Sequence, residues 1–299
     1  MDLPEKINIK EVGPRDGLQN EKGEVSTEDK IEWINRLSDS GLSYIEITSF
    51  VHPKWIPQLK DAVEVAKGID RKEGVTYAAL VPNMKGLERA IEADVDEVSI
   101  FMSASETHNK KNINKSIEET YPILEEVVTE AKKAGKSVRG YVSTVFGCPY
   151  EGAIDEQQVV EVCKRLFDMG IDELSLGDTI GVANPYQVHS FLCKIEHIFL
   201  KDKLALHFHD TRGMALANTV TALELGYHTF DGALGGLGGC PYAKGATGNV
   251  ATDDLVHMTH EMGIETGIDL DRLTDAGFFI QDKIGKTLPS KLMNLRAKQ

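Results

Sequence analysis

Two histidines two residues apart, His207 and His209 in Leu206-His207-Phe208-His209-Asp210, are the side chains of this sequence best suited to chemistry. Residues 203–209 read as a β-strand, and alternation along a strand puts both imidazoles on one face. That spacing can hold one metal ion, for which imidazole is the commonest ligand. A second polar strand end lies near the N-terminus. There residues 7–12 run into Gly13-Pro14-Arg15-Asp16-Gly17, which sets a guanidinium beside a carboxylate. Asp16, His207 and His209 offer two nitrogens and one oxygen, and Asn249 could add a carbonyl oxygen. Such a set, free of thiolates, suits Mg²⁺, Mn²⁺, Zn²⁺ or Fe²⁺ with positions left for substrate. An ion there would act as a Lewis acid on bound oxygens.

Other residues extend the list. Glu46 sits between Ile45 and Ile47 on a strand that reads as buried. Unpaired, its carboxylate would be costly there. It is either satisfied by a backbone or arginine partner, or it braces Arg15 or the metal ligands. Asp178 ends another strand, in Leu176-Gly177-Asp178-Thr179. Cys240 lies in the glycine-rich run Gly235-Gly236-Leu237-Gly238-Gly239-Cys240-Pro241-Tyr242-Ala243-Lys244-Gly245. Glycine-rich backbone approaches a ligand closely or moves. Cys240 is then a reactive thiol, against the common fate of a free cysteine as a small buried hydrophobe. Lys110, Lys111 and Lys115 form a basic cluster that could meet phosphates, or simply a solvated helix start; Lys22 is a similar candidate.

The elements that must carry these groups follow from hydrophobic periodicity. Strands are expected at residues 7–12, 44–48, 75–81, 97–102, 137–145, 173–176, 203–209 and 229–234. Amphipathic helices are expected between them at 27–40, 56–67, 87–92, 116–134, 157–169, 185–199 and 214–225. Eight strands alternating with helices over about 250 residues imply an α/β fold, a (β/α)8 barrel. An open doubly wound sheet would usually carry GxGxxG after its first strand, and Gly13–Gly17 does not fit that pattern. In a barrel the reactive face gathers the carboxyl ends of the strands, which is where Arg15, Asp16, Glu46, Asp178, His207 and His209 fall. The barrel should span about 7–250. A C-terminal helical extension at about 251–290, with helices at 251–262 and 271–284, completes a single domain over 1–299. A Gly-Cys-Pro-Tyr turn occurs twice, at 147–150 and 239–242, and carries no assigned function.

Composition bounds the function class. Apolar residues make up 41% and charged residues 27%, ordinary for a globular protein. The net charge of −14 argues against a nucleic-acid or anionic-membrane binder, which needs a basic footprint. The four cysteines, Cys148, Cys163, Cys193 and Cys240, have no CxxC or disulfide-like spacing. No signal peptide, transit segment or membrane-spanning run is legible, so a cytoplasmic protein is expected.

Several of these motifs are shared with a known family. Gly13-Pro14-Arg15-Asp16-Gly17-Leu18-Gln19-Asn20, Glu46-Ile47-Thr48-Ser49-Phe50-Val51 and Lys110-Lys111-Asn112-Ile113-Asn114 resemble the 3-hydroxy-3-methylglutaryl-CoA lyase family. So do Gly177-Asp178-Thr179-Ile180-Gly181, His207-Phe208-His209-Asp210-Thr211 and Gly236-Leu237-Gly238-Gly239-Cys240-Pro241-Tyr242. The first-strand and seventh-strand motifs also occur in the wider metallolyase superfamily, with its isopropylmalate and homocitrate synthases; the glycine loop and the GPRDGLQN spelling are more specific. The resemblance implies Mg²⁺ or Mn²⁺ held by Asp16, His207, His209 and Asn249. It implies Arg15 at the substrate carbonyl, Glu46 and Asp178 in support, and Cys240 in proton transfer. It also implies an acyl-CoA substrate, a homodimer and a place in leucine breakdown. Arg212, Gly232, Ala233 and Thr247 depart from residues common in the family. The expected reaction is a retro-aldol cleavage to acetoacetate and acetyl-CoA, with His207 or Asp178 as acceptor of the hydroxyl proton. The alternatives are a condensing synthase with an α-keto acid, a lyase for a longer 3-hydroxy acyl-CoA, and a catalytically idle metal-binding barrel.

Overall fold

Strand alternation in this protein separates an apolar face from a charged one. In the strand Ser137–Ser143, residues Val138 and Val142 point one way and Arg139 and Tyr141 the other, and all four are buried. A sheet with two such buried faces needs a cover on each, which closure into a barrel supplies. The computed structural model, which describes residues 3–21, 23–239 and 248–298, is that closed barrel. Its eight parallel strands run in chain order: β1 (Asn8–Glu11), β2 (Tyr44–Ser49), β3 (Thr76–Leu80), β4 (Glu97–Ser103), β5 (Ser137–Ser143), β6 (Glu173–Asp178), β7 (Leu204–Phe208) and β8 (Thr229–Gly232). Closure is made by β1 on β8, with Asn8 opposite Thr229 and Glu11 opposite Gly232.

The helices form the outer layer: α1 (Thr27–Asp39), α2 (Ala62–Gly68), α3 (Met84–Glu92), α4 (Glu106–Ile113), α5 (Ile117–Lys133), α6 (Glu156–Asp168), α7 (Pro185–Ile195) and α8 (Ala215–Glu224). Their starts are set by local chemistry. Ser26, Asn83, Ser105 and Asp155 each accept a backbone N–H of the first turn. Ser116 and Asn184 build full capping boxes with Glu119 and Gln187, and Pro185 occupies the first position of α7. Beyond the barrel, α9 (Thr252–Glu261), α10 (Leu270–Ile284) and α11 (Lys291–Arg296) follow. Helix α10 packs along α1, burying Leu273, Ala276 and Ile280 near Trp33, Ile34 and Leu37.

Four segments differ from the periodicity reading. The expected helix at 56–67 is a 3₁₀ turn, Pro57–Leu59, followed by α2. The carbonyl of Gln58 accepts the Lys30 ammonium, which also pairs with Asp61 at 2.8 Å, and this takes the place of helix continuation. The strand expected at 229–234 stops at Gly232. Leu234–Gly236 is a tight turn in which Gly235 has φ +70°, a conformation disfavoured for residues with a side chain. Helices α4 and α11 had no clear periodic signal and are additional.

Candidate active site

The first chemical group is placed by an unusual turn. Gly13–Gly17 is a single π-type turn in which the N–H groups of Arg15, Asp16 and Gly17 all converge on the carbonyl of Val12, at 3.2, 2.7 and 3.4 Å. It projects two successive side chains, Arg15 and Asp16, at the carboxyl end of β1. The turn is tied down from behind by buried Glu11. Its carboxylate accepts the N–H of Gly13 at 2.8 Å and of Leu234 at 2.9 Å, and the hydroxyl of Thr252 at 2.6 Å. Burial pushes the Glu11 carboxyl up to about 7 against those hydrogen bonds.

Arg15 is held at two of its nitrogens. Nε donates to Glu46 at 2.5 Å and Nη1 to Asp16 at 2.5 Å. Glu46 comes from β2, beside an irregularity in the pairing of β2 with β3. Its Oε2 also accepts Tyr141 at 3.3 Å, while its Oε1 is buried without a hydrogen bond among the described residues. Burial outweighs the attraction of Arg15 and keeps the Glu46 carboxyl above its ordinary range. Asp16 shows the opposite balance. Burial alone would raise it, but Arg15, His207 and His209 together hold it below the usual carboxylate value. It accepts Gln19 at 2.7 Å on one oxygen and Asn249 at 2.8 Å on the other.

The two histidines arrive from β7. His207 and His209 face one another with Nε2 atoms 3.2 Å apart. Burial, and then His207, push His209 down to about 3, with Asp16 opposing, so its imidazole is neutral. An isolated bridge between His209 and Asn249 brings the following segment alongside. Asp16, His207 and His209 each bring a ligand atom within 4.8 Å of one another, a grouping able to hold a metal ion. Asn249 fits beside them: its Nδ2 donates to Asp16 and to the carbonyl of Leu237, leaving Oδ1 buried without a hydrogen bond among the described residues. An orphaned buried carbonyl oxygen next to one carboxylate and two imidazoles is an oxygen–nitrogen donor set for a divalent cation.

These groups open onto a cavity of about 420 Å³. Arg15, Asp16, His207 and His209 form one polar end. Val51, Trp55, Leu80, Pro82, Phe101 and Ile113 give it an apolar wall, and Gly239 lies at its edge. Asn20, Asn112 and Tyr141 also line it and were not anticipated from sequence. Asn20 and Asn112 lie inside the quoted motifs, so their neighbourhood was visible while their orientation was not.

The other expected residues are placed less centrally. Asp178 ends β6 buried, and its two oxygens accept the N–H groups of Val182 at 2.9 Å and Ala183 at 3.0 Å. It braces the loop after β6, whose Thr179 reaches the cavity, and Asp178 is not itself among the lining residues. Arg212 donates to the carbonyls of Ile180 and Gly181 at 2.8 and 2.9 Å, tying the same loop to the one after β7. Lys110 and Lys111 are exposed on α4, Lys110 paired with Glu106 at 2.9 Å and Lys111 over the Tyr150 ring. Lys22 and Cys240 lie outside the described residues.

Behind the histidines, the barrel interior is ionic. Arg139, fully buried on β5, donates to Glu173 at 2.6 Å, to Tyr141 at 2.6 Å and to Asp231 at 2.6 Å. Burial would raise Asp231, but Arg139 and then His207 hold it well below the usual range. No reading of the sequence singled out Arg139, Tyr141 or Asp231. The available signal was a charge in the middle of an otherwise apolar strand, as at Glu46.

Known proteins resemble this chain over nearly its whole length. The family model described as HMGL-like matches residues 6–280. The chain is 60% identical over 291 residues to a hydroxymethylglutaryl-CoA lyase of Bacillus subtilis, covering 97% of both chains. It superposes on a crystal structure of the Bacillus subtilis HMG-CoA lyase with a TM-score of 0.98, at 59% identity, covering 99% of this chain and 100% of the other. A further structure, an HMG-CoA lyase from Acinetobacter baumannii in complex with coenzyme A and 3-methylmalate, matches with a TM-score of 0.93 at 43% identity, over 97% and 95% of the two chains.

Proposed function

Since this chain belongs to the HMGL-like family and is a hydroxymethylglutaryl-CoA lyase, we propose that it cleaves the C2–C3 bond of 3-hydroxy-3-methylglutaryl-CoA by a metal-assisted retro-aldol route. The products are acetoacetate and acetyl-CoA, and the reaction serves leucine breakdown. The observation that carries the reading is the meeting of Arg15 with Asp16, His207 and His209 at the polar end of one cavity.

Cleavage turns the tertiary hydroxyl into a ketone and sends the C2–C3 electron pair into the thioester, as an enolate that must then gain a proton at C2. A divalent cation, Mg²⁺ or Mn²⁺, held by Asp16, His207, His209 and Asn249 would polarise the substrate's oxygens and lower the pKa of the hydroxyl. Arg15 stabilises the enolate oxygen. Glu46 and Asp16 fix two of its nitrogens, so the guanidinium is oriented before substrate arrives, and a donor that need not reorganise is worth several kcal/mol. Glu46 supports through that brace. Asp178 supports by holding the loop that carries Thr179. Its two backbone hydrogen bonds and its place outside the lining count against it as acceptor of the hydroxyl proton. His207 serves as a ligand, with Nδ1 engaged by Asp231, so the hydroxyl proton passes to solvent in the open cavity. Cys240 protonates C2 of the enolate. Lys22, Lys110 and Lys111 meet the phosphates of the acyl-CoA, which for the latter two is supported by the neighbouring Asn112 and Ile113 in the cavity lining.

The wider organisation we propose is a homodimer of single-domain subunits in the cytoplasm. One core cluster joins barrel residues such as Ile45 with Leu273 and Ile280 of the C-terminal helices, which supports the single domain. The unpaired thiols Cys148, Cys163 and Cys193 suit a reducing compartment. Acetoacetate release by metal-stripped protein, with and without Mg²⁺ or Mn²⁺, tests the reading. Metal-dependent release is expected. No release by metal-loaded protein would send the assignment to a longer acyl-CoA or to the condensing reaction.

A further inference from the structure

Asp231 lies on β8, fully buried behind the imidazole of His207. Its Oδ2 is 3.2 Å from Nδ1 of His207. The same carboxylate is gripped on three further sides. Arg139 donates Nη2 to Oδ1 at 2.6 Å and Nη1 to Oδ2 at 3.4 Å, and Ser175 donates its hydroxyl to Oδ2 at 2.8 Å. Arg139 is in turn held through Nε by Glu173 and through Nη1 by Tyr141. The ionised carboxylate has only acceptor capacity, so the hydrogen of the His207–Asp231 bond must sit on Nδ1. In the neutral ring, Nε2 of His207 is then the bare lone pair, turned toward His209.

We propose that Asp231 is a positioning residue that fixes His207 as its Nδ1–H tautomer, so that Nε2 is presented to the cation, with Arg139 as the clamp that sets the carboxylate. The inference rests on the metal-binding reading above. The arrangement is a carboxylate–histidine–metal relay, in which the outer carboxylate orients the ring and raises its basicity. A buried Arg–Asp pair in the middle of a barrel is hard to justify by stability, since apolar packing does as well or better. Its geometry here has a use: besides His207, the Asp231 carboxylate is held by Arg139 from β5 and Ser175 from β6, which fixes the oxygen that meets Nδ1. The metal-free site then has a definite hydrogen pattern. His207 accepts at Nε2, so the 3.2 Å contact requires His209 to donate from its own Nε2, in agreement with an Nδ1 of His209 that has no partner among the described residues.

The test uses full-length, metal-free protein labelled with ¹⁵N-histidine. Long-range ¹H–¹⁵N spectra, assigned with the H207Q variant, report which nitrogen of His207 carries the proton. Protonated Nδ1 and bare Nε2 are expected; an Nε2–H tautomer overturns the proposal. In parallel, Mn²⁺ titration calorimetry compares metal-free wild type with Asp231→Asn, whose fold is checked by circular dichroism. Affinity about 10–100-fold weaker is expected. A folded D231N that binds Mn²⁺ as tightly as wild type overturns the proposal. If the variant fails to fold because Arg139 is left short of a counter-charge, the wild-type spectrum decides alone. Wild-type protein that takes up no Mn²⁺ defeats the metal reading itself, while the tautomer still decides the part assigned to Asp231.

Discussion

Arg15 is the residue on which the proposed chemistry turns, and its surroundings explain why a lysine or glutamine would not serve. Only a planar guanidinium can donate to Glu46 and Asp16 in fixed directions and still offer a further N–H to a substrate. Replacing Arg15 by Gln should lower turnover by at least about 10²–10³, the usual loss for one preorganised oxyanion donor, while Mn²⁺ still binds. A variant with near-normal acetoacetate release would take Arg15 out of the mechanism. Cys240→Ala is the companion experiment. Metal affinity and melting temperature should stay at the wild-type level while turnover collapses; retention of most activity would return Cys240 to a packing role. At this scale the residue types were legible because they break the pattern of their strands. His207 and His209 share a face by strand period alone, and Arg15-Asp16 follows the strand of residues 7–12 directly after Gly13-Pro14. Asp231 and Arg139 break their patterns in the same way, yet their meaning lies in what they touch across the barrel.

At the scale of elements, the turn Leu234–Gly236 that leads toward the glycine loop is fastened by two buried carboxylates. Glu11 accepts the N–H of Leu234, and Asp253 accepts that of Gly235 at 2.9 Å. Burial pushes Glu11 up to about 7 and Asp253 up to about 6. Both folded values lie above the ordinary carboxylate range, so the unfolded chain releases these protons first. The contribution is therefore fully present below about pH 4 and is lost as pH rises through 6 to 7. Melting temperature should fall across that window. Glu11→Gln, which mimics the protonated acid, should flatten the fall, with a difference on the order of 1–3 kcal/mol between the ends of the window. Parallel melting curves for the two proteins from pH 4.5 to 8 would remove Glu11 from this account. The elements themselves were largely legible, since caps such as Ser116 with Glu119 are local. The split of 56–67 was not, because it depends on Lys30 reaching across from α1.

For the whole molecule, the barrel brings donors from β1, from β7 and from the segment after β8 to one point. A cation that binds only when these are assembled stabilises the folded state by mass action. Mn²⁺ at about 100 times its dissociation constant should add roughly 2.7 kcal/mol and raise the melting temperature by several degrees. The rise should vanish in Asp16→Asn. An equal rise in that variant would mean that the ion binds elsewhere. The proposed homodimer is tested by sedimentation equilibrium, where a mass near that of a single 32.9 kDa chain would exclude it.

The sequence by itself determined the number and order of the strands, the barrel and the residue types gathered at the candidate site, because strand period, helix caps and turn residues act over a few positions. Tertiary structure alone decided the partners. Asp16 and Asn249 are 233 residues apart and Arg139 and Asp231 are 92 apart, and both pairs meet only when the sheet closes. Closure also decided that Asp178 faces its loop, since the side of a strand a residue occupies has meaning only once the barrel gives that side an inside. Buried charge is where these two levels join. A lone carboxylate on an apolar strand announces that some partner must exist, and the fold names it.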